Sequence, residues 1–314
     1  MKDAVSVQKV SGLCPVCSAP QADLLYSHAR DYITKDVFQV AHCTQCTVAW
    51  THPIPADLDP YYPRSYRRYN SVIIAILKFL YRRRAWRWSK LFPKAGSALE
   101  LGCGDGFMLN ALRSYEWSVC GTERTEEMAA FARQHFGLTV FVEGGQALPT
   151  EQRYDLVVMF QVLEHLSEPL SQLKRACSLL SPNGRLIIGV PNFASWQASY
   201  GKEGWFHLDV PRHLLHYSPA SLRAAAERSG LRVESINFTS FEHDPYGWVQ
   251  SILNQRFNNG NRLTRLLMRA EPWRAGDIVT LLLAGLLTIP AILLSLISWV
   301  CGRGAIMEAV LAKR

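Results

Sequence analysis

Between Tyr61 and Leu99 the chain has no aspartate and no glutamate, although ten lysines and arginines fall there. That segment more than accounts for the net charge of +8 carried by 314 residues. A basic stretch of this kind points to phosphates, whether of anionic lipid, of nucleic acid or of a charged substrate. Also missing is an apolar run at the start: "MKDAVSVQKVSGLCP" lacks the core of a secretory signal, so a cytoplasmic chain is expected. No internal repeat and no low-complexity linker is present. With 48% apolar residues, global disorder is excluded, and the length allows one large domain or two smaller ones.

Four of the eight cysteines, Cys103, Cys120, Cys177 and Cys301, lie in apolar or glycine-rich contexts that suit free thiols in a reducing compartment. The other four are paired by spacing. Cys14 and Cys17 form "CPVC", and Cys43 and Cys46 form "CTQC" after 25 intervening residues. Two such knuckles bring four thiolates into a tetrahedron around Zn2+, and "DVFQVAH" between them reads as a strand of a small ribbon. A redox dithiol is the competing reading, but it usually uses one CxxC at a strand-to-helix junction rather than two. Four cysteines complete the shell, so His42 is expected at the surface.

From Ser97 onward strand and helix patterns alternate, as in an α/β domain with a mainly parallel sheet. "SALEL" reads as the first strand and runs into "GCGDG", where Gly102, Gly104 and Gly106 allow a tight turn and close approach of a ligand, with Asp105 between them. Glu100 precedes the glycines. "WSVCGTE" reads as a second strand ending in Glu123, where a carboxylate can take both hydroxyls of a ribose. The dinucleotide fingerprint GxGxxG is absent, and an acid just before the loop would repel a pyrophosphate but tolerate a sulfonium-bearing amino acid. "YDLVVMFQVLEHL" is a buried strand ending near Gln161, Glu164 and His165, and "LLSPNGRLIIGVPN" is a turn leading into another apolar strand.

Taken in order, "LELGCGDG", "GTE", "YDLVVMFQVLEHL" and "LLSPNGRLIIGVPN" resemble the motifs of class I S-adenosylmethionine-dependent methyltransferases over roughly residues 97 to 240. The resemblance implies a Rossmann-like seven-stranded sheet with one antiparallel strand, and methyl transfer from S-adenosylmethionine. On it, Gly102, Gly104 and Gly106 flank the methionine part of the cofactor, Glu100 reaches its amino group, Glu123 holds the ribose, and Gln161 lies beside the methyl donor. Many relatives bind the adenine amine with an acid before the fourth strand. Here that stretch is "VEGGQALP", leaving Gln146 or a main-chain carbonyl. Metal-assisted relatives that methylate quinone precursors look similar in "LEH" but carry an acid where this chain has Gln161, so a magnesium site is not expected.

After the fifth strand comes "GWFHLDVPRHLLHYSP", rich in polar and aromatic groups. In-line displacement at a sulfonium needs alignment, exclusion of water and, for a hydroxyl or carbon acid, a base. His213 and His216, with Tyr217, are the candidates; the alternative is that His213 caps or packs the loop. The pair His213 and Tyr217 resembles the base-bearing segment of zinc-containing sugar C-methyltransferases, which also carry an N-terminal cysteine module. An acid commonly precedes the histidine there. Here the position is Arg212, able to bind a phosphate or carboxylate on the acceptor.

Residues 278 to 301 carry no charge. As one helix they would extend about 36 Å, enough to cross a hydrocarbon layer of about 30 Å. Yet "AIMEAVLA" beyond them resembles the closing strand of the same sheet, which must insert between the fifth and sixth strands, so a single crossing would leave that sheet unfinished. Pro290 divides the run, and a helical hairpin turning near Thr288 to Pro290 is expected, flanked by Trp248, Trp273 and Trp299 at headgroup level. "NSVIIAILKFLYRRRAWRWSKLF", with Arg82, Arg83, Arg84, Arg87 and Lys90, suits a helix lying on an anionic lipid surface; the alternative for both segments is a solvated face and a soluble core.

The expected organisation is a zinc-ribbon-like module (1–60), a basic amphipathic helical segment (61–95), a methyltransferase core (96–240), a hydrophobic helical insertion (241–301) and the closing strand (302–314). The expected function is methylation of a sugar or other small-molecule or lipid-linked acceptor in cell-surface polysaccharide assembly, peripheral or monotopic on the inner membrane face. The alternatives are quinone-precursor O-methylation, RNA methylation and non-catalytic cofactor binding. The strand ending "MFQVLEH" lacks the Asn/Asp-Pro-Pro-aromatic signature of amino-directed base methylation, which argues against nucleic acid.

Overall fold

The computed structural model describes residues 9–62, 71–142, 152–257, 260–268 and 271–314. Strands β1 (Lys9–Ser11), β2 (Gln21–Arg30), β3 (Val37–Cys43) and β4 (Ala49–His52) form an antiparallel meander. There follow α1 (Ser71–Ser89), β5 (Ser97–Leu101), α2 (Phe107–Arg113), β6 (Ser118–Glu123), α3 (Glu126–Phe136), β7 (Thr139–Val142), β8 (Tyr154–Phe160), α4 (Pro169–Leu179) and β9 (Leu180–Pro191). The chain continues through α5 (Trp196–Gly201), β10 (Leu215–His216), α6 (Pro219–Arg228), β11 (Leu231–Asn237), α7 (Asp244–Phe257), α8 (Arg262–Leu267), α9 (Asp277–Val300) and β12 (Ile306–Lys313).

The large sheet has the order β11-β12-β9-β8-β5-β6-β7. Its β9-to-β7 half is parallel, and β12 is antiparallel to both neighbours. The last strand therefore enters between the fifth and sixth core strands, as expected from "AIMEAVLA". Alternation along the central strands decides the layers. Leu156, Val158 and Ile187 face Ala85 and Trp88 of α1, whereas Leu186 and Ile188 face the side covered by Leu173 of α4 and Leu222 of α6. A sheet buried on both faces needs apolar residues at every position, which is why these strands read as continuous runs.

The cysteine module is not an independent appendage. β10, taken from the histidine loop, pairs antiparallel with β4 through Leu215↔Trp50 and His216↔Ala49. Thr47 of the second knuckle meets Ser218, the N-cap of α6, at 2.8 Å between hydroxyls.

Two expectations about the greasy and basic segments are corrected. Residues 277–300 form one helix, α9, with Pro290 inside it and no reversal at Thr288. Proline costs a helix one hydrogen bond, but Thr280, Leu287, Ala291, Ser295 and Ser298 lie on one stripe at helical spacing, and the stripe packs on α7 on both sides of the proline. Continuity of that packing wins over the local break. Both ends are tied down: Asp277 pairs with Arg262 and Trp299 donates from Nε1 to Asp244 at 2.6 Å. Trp248 is buried against α9 rather than placed at a headgroup level. In α1, Arg84 and Arg87 turn inward onto Glu308 of β12, so only part of the basic cluster faces outward.

Candidate active site

The glycine loop is built where β5 and β6 finish. Gly102, Gly104 and Gly106 all have left-handed backbone, with φ of 74°, 52° and 80°. A Cβ on Gly102 would stand 2.6 Å from Val162 Cγ2, so the loop can nest against the segment after β8 only as glycine. A Cβ on Gly104 would meet no atom within 4 Å; its backbone borders an open cleft. Glu123, the last residue of β6, ties the loop down: Gly104 N–H donates to its Oε2 at 2.9 Å and Thr125 N–H to its Oε1 at 3.1 Å. Asp105 accepts from Phe107 N–H at 3.3 Å where α2 begins.

Glu100 is buried, and its Oε2 has no hydrogen-bond partner among the described residues. Burial pushes its carboxyl well above the usual range, with the charges of Asp105 and Glu123 adding to the effect. An ammonium group brought beside it would supply the missing partner and restore the carboxylate. Gln161, directly after β8, has φ of 57°, a strained value for a residue with a Cβ. Its N–H donates to Gly189 O at 2.8 Å, and its buried Nε2 has no partner among the described residues. Gln146 lies outside the described residues.

The histidine loop supplies the other wall. His165 and His213 meet edge to face with centroids 4.8 Å apart. Each Nδ1 lies against a carbonyl: His165 on Arg212 O at 2.8 Å and His213 on His207 O at 2.9 Å. A carbonyl only accepts, so both Nδ1 atoms carry the proton and both Nε2 atoms keep a lone pair. Burial holds His165 at about 3, with the nearby His213 adding, and lowers His213 as well. Beside them Glu164 is fully buried with no partner on either oxygen among the described residues, and burial pushes its carboxyl up to about 8. One ligating atom each from Glu164, His165 and His213 falls within 4.8 Å of the others, a nitrogen-rich set that magnesium does not favour.

The remaining loop candidates have other duties. His216 is buried and its Nε2 lies 3.2 Å from Thr51 Oγ1, so it joins the loop to the cysteine module. Tyr217 is buried, and its hydroxyl has no hydrogen-bond partner among the described residues. Arg212, read as able to bind an acceptor anion, is instead 3% exposed and paired with Asp31 at 2.8 Å and Asp209 at 2.7 Å. Burial opposes ionisation of Asp209, but the Arg212 guanidinium holds its carboxyl at about 2. Glu164 and His207, whose Nε2 is also buried without a partner among the described residues, were not legible as site residues. Only a carboxylate inside an apolar run, in "VLEHL", hints at the first.

In the cysteine module Cys14 Sγ lies 3.5 Å from Cys46 Sγ, and Cys17 Sγ 3.4 Å from Cys43 Sγ. Zinc bound tetrahedrally at about 2.3 Å to each sulfur would set these edges near ~3.8 Å. Cys17 N–H and Cys46 N–H point at Cys14 Sγ and Cys43 Sγ at 3.4 and 3.5 Å, as donors that would stabilise thiolates. The four residues fit the ion.

A glycine loop on the first core strand, an acid ending the second and a closing antiparallel strand define the class I methyltransferase architecture. A family of proteins sharing a methyltransferase domain matches residues 70–236, and the chain belongs to it. It is an S-adenosylmethionine-dependent methyltransferase. The chain is 26% identical over 165 residues to the ubiquinone biosynthesis O-methyltransferase of Coxiella burnetii (strain Dugway 5J108-111), covering 48% of this chain and 69% of that one. It is 28% identical over 168 residues to the enzyme of the same name from Xanthomonas axonopodis pv. citri, covering 49% and 70%. A SAM-dependent methyltransferase from Archaeoglobus fulgidus superposes with a TM-score of 0.47 at 18% identity, covering 78% and 100%.

Proposed function

We propose that this methyltransferase acts at a membrane surface on a hydroxyl of an acceptor held in that membrane. The observation that carries the reading is the outer face of α9. Leu282, Leu286 and Ile289 are 70%, 73% and 71% exposed, on a helix whose other face and both ends are fixed to the body that holds the glycine loop. Apolar patches of this extent on a soluble surface mark interaction sites. Basic residues adjoin it: the Arg83 guanidinium lies 4.8 Å over the Phe241 ring, which packs on Trp299 near the end of α9. Cationic and apolar groups side by side suit an anionic bilayer, with α9 in the plane of the interface.

Bound S-adenosylmethionine supplies an electrophilic methyl group on a sulfonium. Glu123 would hold its ribose, Glu100 its ammonium, and Gly104 would leave room for its backbone-facing edge. His213 is the group to take the acceptor's proton, because its Nδ1–H is spent on His207 O and its Nε2 has no hydrogen-bond partner among the described residues; His165 packs edge to face beside it, and Gln161 would lie beside the methyl donor. The four cysteines hold Zn2+ as a structural ion that fixes β4, and through β10 the histidine loop. Of the acceptor classes, a lipid-borne quinone precursor is favoured by the O-methyltransferases the chain resembles, and removal of Arg212 into ion pairs weakens the case for a sugar-phosphate contact there. A polyprenyl-linked sugar is the second reading, supported by the cysteine module joined to the His213 loop.

Incubating membranes with the enzyme and methyl-labelled S-adenosylmethionine tests the proposal. Label is expected in the lipid extract, and mild acid would release it only from a glycan diphosphate, not from a quinone precursor. Label confined to water-soluble products would overturn the membrane-held acceptor.

A further inference from the structure

Where α1 passes the connection between β11 and α7, a narrow cleft opens, lined by Arg83, Arg84 and Arg87 of the helix and by Thr239, Phe241 and Glu242 of the connection. Three guanidiniums attract an anion only if the carboxylates nearby leave donors over. Glu308 of β12 takes Nη2 of Arg87 at 2.5 Å and Nε of Arg84 at 3.2 Å, and Glu242 pairs with Nη2 of Arg84. Arg84 Nη1 is left without a hydrogen-bond partner among the described residues, on a side chain 6% exposed. Arg83 is exposed and has no carboxylate partner among the described residues; its guanidinium lies over the Phe241 ring. A charged donor left unsatisfied in the interior is costly, so such a group marks a place where an acceptor belongs.

Size, charge and neighbours say what that acceptor is. The interior of the cleft has room for one water-sized atom, about 10 Å³. A water there would satisfy Nη1 but leave the charge of Arg83 uncompensated. A phosphate does both, with one oxygen entering toward Arg84 and another meeting Arg83 at the rim. The rim itself is apolar. Phe241 is exposed and meets Trp299 at the end of α9, with centroids 4.7 Å apart. Phe79 and Trp86, four residues before and three after Arg83, are exposed on the same face of α1. Inorganic phosphate gains nothing from such a rim, whereas the acyl chains of a phospholipid do. We propose that the cleft seats the phosphate of one anionic phospholipid, whose chains run past Phe241 and Trp299 toward the bare face of α9. The seat rests on the membrane reading of α9 and adds a fixed lipid to it. A headgroup pinned beside one end of α9 sets how the enzyme is turned on the bilayer, which a greasy helix alone does not.

Calorimetry on the full-length protein tests this with dihexanoylphosphatidylglycerol, kept below its micelle concentration, and with inorganic phosphate. One saturable lipid site per chain is expected, at least about tenfold tighter than inorganic phosphate, which has no chains to bury. Arg83→Lys keeps the charge but loses the forked donors, and should weaken lipid binding about tenfold, the value of one charge-assisted hydrogen bond. Arg83 is at the surface, so this variant separates binding from folding. Arg82→Lys, exposed one residue away and outside the cleft, should bind as wild type does. Equal affinity for lipid and inorganic phosphate would reduce the cleft to a free-anion site, and equal weakening by the two lysine variants would reduce it to diffuse surface charge; either result overturns the proposal. Wild type that floats with anionic vesicles yet shows no saturable lipid site loses the seat while the attachment of α9 stands. Wild type that does neither loses both.

Discussion

Asp31 of the cysteine module and Arg212 of the histidine loop form a buried ion pair, 2.8 Å between Oδ1 and Nη1, with 0% and 4% of their side chains exposed. Arg212 precedes β10, which pairs with β4, and its guanidinium also lies 4.2 Å over the Tyr32 ring. A module that looks like an appended ribbon is in this way the floor of the loop that carries His213. The consequence for metal binding is direct.

Cys14→Ser or Cys43→Ser is expected to lose one zinc per chain and, because β4 loosens, to lower methyl transfer at least tenfold while cofactor affinity stays within about twofold. Metal analysis and cofactor calorimetry on the same preparation check this. Full activity in a zinc-free variant would show that the module does not hold the loop.

Glu123→Ala should weaken S-adenosylmethionine binding on the order of 100-fold, since two hydrogen bonds to a charged acceptor are lost. Glu123 also holds Gly104 and Thr125, so loop order should fall with it. Unchanged affinity in calorimetry would remove the ribose assignment.

Charge placed on the outer face of α9 separates membrane attachment from folding. Leu282→Glu with Leu286→Glu should leave stability to urea within about 0.5 kcal/mol, because both positions face outward, and should abolish flotation with anionic vesicles. Deleting the helix is a poorer experiment, because Asp244 joins Trp299 of α9 to the backbone of Ala305 at the head of β12. Flotation that survives both charges would place the attachment elsewhere.

Stability should fall as pH drops from 5 to 4. Burial keeps His165, His207, His213 and His216 below their ordinary value, His165 and His216 at about 3, so they stay neutral while the unfolded imidazoles take protons near 6.5. Their contribution is complete above about 6.5 and is lost as pH falls toward 3. Glu100, Glu164 at about 8 and Asp244 at about 7, all raised by burial, act oppositely: they favour the fold at low pH and weaken it as pH rises through neutrality. Between pH 7 and 5 the two sets offset each other; below pH 5 the acids gain little more and the imidazoles decide the sign, for a net loss on the order of 2 kcal/mol. Equal or greater stability at pH 4 than at pH 5 in urea titrations would mean that the imidazoles are not held neutral.

Much of the glycine loop's geometry was readable in advance. "GCGDG" needs left-handed backbone at three positions, and the acid ending "WSVCGTE" is placed by the length of a strand; both are local requirements written in consecutive residues. The order of the sheet, including the late insertion of "AIMEAVLA", was expected from the resemblance to class I methyltransferases rather than from the apolar strands themselves. Arg212 and Arg84 were misread for the opposite reason. Each is an arginine beside aromatic residues, and nothing local reveals that its carboxylates come from Asp31, or from Glu242 and Glu308. The hairpin failed similarly: Pro290 is a local break, whereas the stripe that overrules it exists only against α7.

By itself the sequence determined where the backbone turns, which residue types stand at the cofactor loop and that four thiols lie at knuckle spacing, because those depend on neighbours a few residues away. The tertiary structure decided which charges are sequestered, which ring nitrogens keep a lone pair and that α9 runs unbroken with one bare face, because burial and pairing are set by chain segments that meet only in the folded protein.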